Sequence, residues 1–395
     1  MRFKYEAIDI FSGCGGVSCG LSLAGFKVKA AVEIENKAAD IYHGYPPLSN
    51  VNVLQGKENG DICKLNGADI LKAAGIHRDD IYLLAGCPPC QNFSRQNPNN
   101  IKKPIEERKK LLFEFLRIIE EIAPPFILME NVPGIKTSAN KVILDDFLSR
   151  LNKQYVVVED ILNAADYGVP QIRKRFVLHA IRKDLNAELK AHGFEFGLPK
   201  PTHSCKPGNK LLPWKTVKET IGDLPSISAG ESYPDNGIIH NHKCAGLDEV
   251  NIRRIRAIRA NGGSRDGLPT NLVLKCHKKK DAAGNVFSGH KDVYGIMDAN
   301  KPSPTITGGC LCYSKGRYGH YEQDRAISIR EAARLQTFPD DFIFSDSLTA
   351  AALQIGNAVP IELVKASGLV LIKAMYNIKF LRSKKKARNN NDTVV

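Results

Sequence analysis

No run of apolar residues in this chain approaches the roughly 20 that a membrane-spanning helix needs. The opening stretch, Met1-Arg-Phe-Lys-Tyr-Glu6, lacks the apolar core and cleavage site of a secretory signal. A cytoplasmic protein with no membrane contact is therefore expected. Ten cysteines at irregular spacings in 395 residues argue against a disulfide framework and for a reducing compartment. Among His240, His242, Cys244, Cys276, Cys310 and Cys312 the spacing of a structural zinc site is missing, so no metal is expected. No internal repeat is present, which excludes solenoids and propellers. Acidic residues are also scarce. There are 42 Asp and Glu against 56 Lys and Arg, a formal charge of +14.

That excess is clustered. Arg253, Arg254, Arg256 and Arg259 lie on one short helical stretch, Lys275 and Lys278 to Lys280 follow, and Lys384 to Lys386 with Arg388 stand near the end. Such clusters favour a polyanion, because each phosphate neutralised releases counterions. With 43% hydrophobic residues the chain can bury a large core, and its length allows two or three domains.

Up to about residue 185, short β-branched runs alternate with helical patterns, the mark of an α/β fold with a mostly parallel sheet and helices on both faces. Strands are predicted at 5–11, 28–33, 51–55, 81–85, 126–130, 155–162 and 175–181. The clearest helix is 105–122, whose apolar residues recur at three and four spacing. From about 187, proline, glycine and histidine punctuate short segments and predict a loop-rich second domain. Helical signal returns at 328–336. A long amphipathic helix is predicted from Pro360 to about Phe380, followed by a disordered basic tail over 382–395.

The chemistry-bearing residues collect at predicted strand ends. Gly86-Cys-Pro-Pro-Cys-Gln-Asn-Phe-Ser94 follows the strand at 81–85, placing Cys90 where open α/β sheets do chemistry. Two prolines restrict the backbone before it and could aim the sulfur of a nucleophile. The first strand ends in Asp9-Ile-Phe-Ser-Gly-Cys-Gly-Gly16, a glycine turn suited to a nucleotide cofactor although it misses the full GxGxxG. Glu33 ends the second strand, where a carboxylate can accept from ribose hydroxyls. Asp61, after Gly60, could accept from an adenine amine. Glu130 closes the strand at 126–130 with an apolar flank, which favours a proton-donating state. Gln171-Ile-Arg173-Lys-Arg175 places two alternating arginines before another strand.

In this order and at these separations, DIFSGCGG, Glu33, GDI at 60–62, GCPPCQNFS, ENV, QIRKR, REAARLQTFPDDF and QIGNAVP resemble the motif series of the DNA (cytosine-5) methyltransferases. The resemblance covers nearly the whole chain except about 190–300, where that family keeps its target recognition domain. It implies a Rossmann-like methyltransferase core, with a catalytic domain over 1–186, a target recognition domain over 187–325, and a returning catalytic part over 326–395. It assigns S-adenosyl-L-methionine, leaving as S-adenosyl-L-homocysteine, to Phe11, Gly13, Gly15, Glu33, Ile34, Asp61, Pro89, Leu111 and Asn357. Cys90 becomes the nucleophile, and Glu130, Arg173 and Arg175 hold the cytosine. Ile34 stands where some members place an aromatic residue beside adenine. Contacts to double-stranded DNA are expected from Gln91, Ser94, the four arginines of 253–259 and the glycine loops Gly262-Gly263 and Gly308-Gly309. The 91–104 loop is expected to close over a flipped base.

What this implies is a monomeric, nucleoid-associated modification enzyme, paired with a restriction endonuclease. A tRNA methyltransferase of the same chemistry is the nearest alternative, but the long stretch between QIRKR and REAAR suits a groove reader. A non-catalytic DNA-binding relative would be expected to have lost Cys90 or Glu130, and both are present. A nicotinamide oxidoreductase fits poorly, since the glycine turn departs from that fingerprint.

Overall fold

The computed structural model describes residues 5–89, 104–206, 210–266, 268–274 and 292–392, with side chains described as far as 385. The chain forms two compact units. The first comprises Met1–Asn163, Lys174–Pro201 and Val359–Val395, and the second Ala164–Arg173 and Thr202–Ala358.

The first unit is built on seven strands: β1 (Tyr5–Ile10), β2 (Phe26–Glu33), β3 (Asn52–Gln55), β4 (Tyr82–Gly86), β5 (Phe126–Asn131), β6 (Tyr155–Asn163) and β7 (Lys174–Arg182). Their order in the sheet is β3-β2-β1-β4-β5-β7-β6, parallel apart from β7, which runs antiparallel to both β5 and β6. The order reverses between β1 and β4. Ligands of open α/β sheets bind outside the carboxyl ends of the strands at such a switch point.

The helices of this unit are α1 (Gly16–Ala24), α2 (Asn36–Tyr42), α3 (Gly56–Asn59), α4 (Gly67–Ala74), α5 (Ile105–Ile122), α6 (Lys141–Leu151) and α7 (Lys183–Ala191). In α5, Leu112, Phe115, Leu116, Ile119 and Ile122 recur on one face. They bury against Ile8, Ile10, Leu84, Ile127 and Met129 of the sheet, with Phe147 and Leu151 of α6 in the same core.

The second unit holds α8 (Val217–Ile221), α9 (Glu249–Ala260), α10 (Ile329–Leu335), α11 (Leu348–Asn357) and a two-stranded pairing of β8 (His203–Ser204) with β9 (Leu212–Pro213). One cluster of its core gathers Ile255, Ile258, Ile296, Tyr313 and Ala326, and Ile306, Ile327, Ile329, Leu335, Phe338, Phe342 and Ile355 are buried as well. Charged side chains are buried among them. Buried Arg325 holds Glu331 through two bonds of 2.7 Å, while Arg330 donates to the carbonyls of His240, Pro339 and Phe342. This unit runs on to Ala358 rather than ending near 325. Residues 326–358 bury into the network around Arg325, and burial, not a return of helical texture, decides membership.

The last helix, α12 (Ile361–Asp392), rejoins the first unit. It lies along α1 so closely that a Cβ on Gly20 would come within 2.6 Å of Val364 Cβ and 2.9 Å of the Ile361 carbonyl. One 18-residue window in the segment Leu348–Lys385 has a mean hydropathy of 1.5, enough by composition for a membrane span, yet 61% of it is buried inside the protein. The long helix expected from Pro360 is present, and its apolar run is buried in the core. The basic stretch expected to be disordered is also helical as far as Asp392. Residues 381–391 contain neither proline nor glycine, and a helix nucleated upstream extends through lysine, arginine and alanine at little cost.

Gly20→Val should therefore force α1 and α12 apart and lower stability by about 1–3 kcal/mol or more. Urea unfolding of the variant, read at equilibrium, checks this.

Candidate active site

The glycine turn after β1 is held in an unusual backbone. Phe11 has φ 60°, Gly13 φ 55° and Gly15 φ 92°, and only glycine adopts that region freely. The turn is tied down by Ser12 N–H donating to the Val32 carbonyl and Gly15 N–H to that of Ser12. Glu33, at the end of the neighbouring β2, accepts from Gly13 N–H at 2.7 Å and from Glu35 N–H at 2.8 Å. Burial raises its pKa, and those backbone donors pull it back. Gly60 lies against the carbonyl of Glu33, where a Cβ would sit 2.2 Å away, so Asp61 is brought beside the end of β2. Asp61 accepts from Cys63 N–H at 3.1 Å. Ile34 is 43% exposed and offers an apolar face. Leu111 packs half-buried on the core cluster, and Pro89 is exposed. Asn357 is the exposed last residue of α11 in the second unit, two residues before the chain rejoins the first.

Asp9 went unremarked in the sequence beyond its place in the motif. It is fully buried at the end of β1 and accepts from Ser18 Oγ at 2.6 Å and from Ser18 N–H, while Tyr42 donates to the same Ser18 hydroxyl. Ser18 lies in the first turn of α1. A buried carboxyl group thus accepts from the first turn of α1, the helix that follows the glycine turn. An apolar-then-acidic strand end before a glycine turn was the available signal.

Beside the switch point, Glu130 of β5 pairs with Val177 of antiparallel β7, so Arg175 is its diagonal neighbour on one face. The Arg175 Nε meets Glu130 Oε1 at 2.8 Å, both side chains nearly buried. Glu130 also borders a narrow recess with Cys87, Leu128, Val177, Leu363 and Val364. Asn131, 1% exposed, donates to the Pro88 carbonyl at 3.1 Å and so fixes the loop two residues before Cys90. Cys90, Gln91 and Ser94 themselves lie outside the described residues, as does most of the 91–104 loop.

Arg173 behaves differently from Arg175. Strand alternation begins only at Lys174, and Arg173 turns into the second unit, where it is 2% exposed. Its guanidinium donates to the carbonyls of Ile306, Gly356 at 2.9 Å and Ala358 at 3.1 Å. Gln171 beside it bonds the Leu335 carbonyl and Gln336, and Gln336 in turn bonds the Ile355 carbonyl. The dense late motifs are thus an internal scaffold. Glu331 completes a capping box with Ser328, and Arg334 pairs with Asp340 and Asp223.

The four arginines of α9 do not form one open basic face. Arg256 and Arg259 share Asp324, and Arg254 donates to the Leu272 carbonyl and Asn251. Arg253 is exposed. Opposite charges 65 and more residues away could not be paired from sequence. Gly262 and Gly263, with φ 71° and 85°, form the turn after α9, and Gly308 packs against Leu353 of α11. Gly309 lies half-buried against Lys315. Lys278 to Lys280 lie outside the described residues.

Cys87 and Cys90 stand at CxxC spacing, which a reading of Cys90 as an isolated nucleophile overlooks. Among the described residues no three His, Cys, Asp or Glu side chains converge as a metal site. His242 is instead bonded to Ser328 and the Pro225 carbonyl.

A family model described as C-5 cytosine-specific DNA methylase matches residues 5–373. The chain belongs to this family. The methylase is 33% identical over 373 residues to the type II methylase M.HgiDII of Herpetosiphon aurantiacus, covering 93% of this chain and 94% of that one. It is also 33% identical to the type II methyltransferase M1.HphI of Haemophilus parahaemolyticus, covering 94% and 87%. A crystal structure of a proposed prophage-encoded DNA modification methyltransferase (E. coli) superposes with a TM-score of 0.62 at 26% identity, covering 95% and 99%. The S. pombe Dnmt2 methyltransferase, at 18% identity, TM-score 0.57 and coverage of 93% and 98%, shares the fold.

Two predictions follow from these contacts. Burial pushes the Asp9 carboxyl up to about 7 against the pull of Ser18. Its contribution to stability is complete below the ordinary aspartate value near 4 and is lost as pH rises through about 7. Asp9→Asn should flatten thermal stability between pH 4 and 7, read as melting temperature against pH. In contrast to Arg175→Met, Arg173→Met should lower stability by about 3 kcal/mol or more by stranding three carbonyls. Denaturant unfolding of both variants separates the roles.

Proposed function

We propose that this DNA cytosine-5 methyltransferase works through a covalent Cys90 adduct on a cytosine flipped out of duplex DNA, with S-adenosyl-L-methionine as methyl donor. The Arg175–Glu130 pair carries the reading, because it places a carboxylate held by a cation at the switch-point edge, beside the loop that Asn131 fixes before Cys90. The residues fit the donor: Glu33 and Asp61 offer carboxylates at adjacent strand ends, Asp9 braces the first turn of α1 beside the glycine turn, and Ile34 presents an apolar surface. Phe11, Gly13, Gly15, Pro89, Leu111 and Asn357 complete the set that would hold it. Bound there, the donor supplies an electrophilic methyl group on a sulfonium.

Carbon 5 of cytosine is a poor nucleophile, and no side chain can deprotonate it directly. Attack of the Cys90 thiolate on carbon 6, with a proton from Glu130 held at ring N3, moves electron density to carbon 5. After methylation the carbon 5 proton leaves to a base and the thiolate departs. A thiol of ordinary pKa near 8.5 is only a few per cent ionised at neutral pH, a penalty of about 2 kcal/mol. Arg175, at 2.8 Å, holds Glu130 as a carboxylate before the base arrives, so the proton that Glu130 gives to N3 is taken up from solvent as the cytosine binds. Arg173, which the family pattern places on the base, is spent within the second unit on the carbonyls of Ile306, Gly356 and Ala358.

The target ring is unreachable inside a duplex, so flipping costs a few kcal/mol, offset by contacts elsewhere on the DNA. Those contacts we assign to the second unit, with exposed Arg253 and the turn at Gly262-Gly263 as candidate elements. The type II naming of the relatives supports a modification role opposite a restriction endonuclease, in the compartment that holds the DNA.

Cys90→Ala should abolish transfer of labelled methyl groups to unmethylated DNA while donor binding persists. Glu130→Gln should slow transfer at least tenfold, since an amide cannot supply the mobile proton. Near-normal turnover of either variant would refute the mechanism, and bisulfite sequencing of DNA from expressing cells gives the sequence methylated.

A further inference from the structure

We propose that the distal part of α12 is a second, sequence-independent contact for duplex DNA, at the sheet edge opposite the catalytic loops. Four observations carry this. Between Glu362 and Asp392 the chain has eight lysines and arginines and no acidic residue. Lys365 pairs with Glu362 and Arg382 with Glu188, which leaves Lys373, Lys379, Lys384, Lys385, Lys386 and Arg388 with no acidic residue among them in the sequence, whereas Arg256 and Arg259 of α9 share Asp324.

The second observation is direction. The helix passes Gly20 at Val364, Ala24 at Gly368 and Gly25 at Ile372, and by Lys379 it lies over the ring of Tyr5, the first residue of β1, with Nζ 4.6 Å from the ring centroid. Arg382 then reaches Glu188 of α7 at 3.2 Å. The residues from Lys379 to Asp392 therefore extend about 20 Å from the amino-terminal edge of the parallel strands, away from Glu130 and the glycine turn.

Third, the outward stripe of the helix is built for contact. Leu369, Lys373, Tyr376, Phe380 and Lys384 recur at four and three spacing. Leu369 is 50%, Tyr376 52% and Phe380 40% exposed. The rings of Tyr376 and Phe380 stack 6.1 Å apart, and Lys384 Nζ sits 4.6 Å over Phe380. Rigid aromatic stems beneath lysines hold the charges outward, and a lysine's phosphate contact needs no base sequence. Fourth, the family match ends at residue 373, so the core chemistry does not account for the arm. Its occupant is set by charge: a duplex presents one negative charge per roughly 1.7 Å of its axis. Contact there would hold the enzyme on DNA between catalytic encounters.

The inference rests on DNA being the substrate, and the experiment separates the two. A variant carrying Lys384→Gln, Lys385→Gln, Lys386→Gln and Arg388→Gln, and a second carrying Tyr376→Ala with Phe380→Ala, are compared with the intact protein. Affinity for a long non-cognate duplex is measured over a salt series, and turnover is measured on a short cognate duplex. The charge variant should lose at least tenfold in affinity at low salt, and its plot of log affinity against log salt should be shallower by about two to four. The aromatic variant should show a smaller loss, and both should keep turnover on the short duplex within twofold. An unchanged slope in the charge variant overturns the proposal, including the case in which the arm retains an acidic protein. Failure of the intact protein to methylate any duplex would instead refute the catalytic reading.

Discussion

The antiparallel insertion of β7 between β5 and β6 is the constraint on which the Arg175–Glu130 edge depends. A parallel strand at that place would put Arg175 at the wrong end of the sheet. Running backwards, β7 sets Val177 opposite Glu130 and so delivers Arg175 diagonally onto the carboxylate. The pair costs little to hold because both side chains leave rigid, buried strands, and their rotamers are already restricted by packing. The same strand shows where alternation stops, since one residue earlier Arg173 leaves the ladder and becomes the anchor of a carbonyl cluster.

Two kinds of cation therefore coexist in this methylase. Arg173, Arg325 and Arg330 are buried and spend their donors on backbone oxygens or a single carboxylate inside the second unit. Breaking such a group would leave buried carbonyls or charge unpaired, which is why they are structural. Lys384 and Lys385 of distal α12 are the opposite case, exposed and without nearby acids in sequence. Net charge alone does not tell them apart. Only the partners do.

The end of β2 follows a similar economy. Glu33 holds the glycine turn with one oxygen and the next residues of its own chain with the other, so the turn is fixed by the protein's own contacts. Asp9 closes the helix N-terminus from below. Preformed donors and acceptors cost no rearrangement on binding.

The sequence by itself determined the seven strands, nearly to their ends, because β-branched runs buried on both faces have no other stable home. It determined the helix of 105–122 through its three-and-four periodicity. It also determined the family, since ordered motifs at strand ends are tied to chemistry. What only tertiary structure decided were the pairings between residues far apart in the chain. Asp324 with Arg256 and Arg259, Arg173 with the carbonyls near 306 and 356, and Asn131 with Pro88 join residues 43 to 185 positions apart. Local pattern carries no information about such distances. The limits of the second unit and the helical state of 382–392 were hidden for a related reason. Membership depends on which core a segment buries into, and a charged stretch takes its conformation from the helix that feeds it.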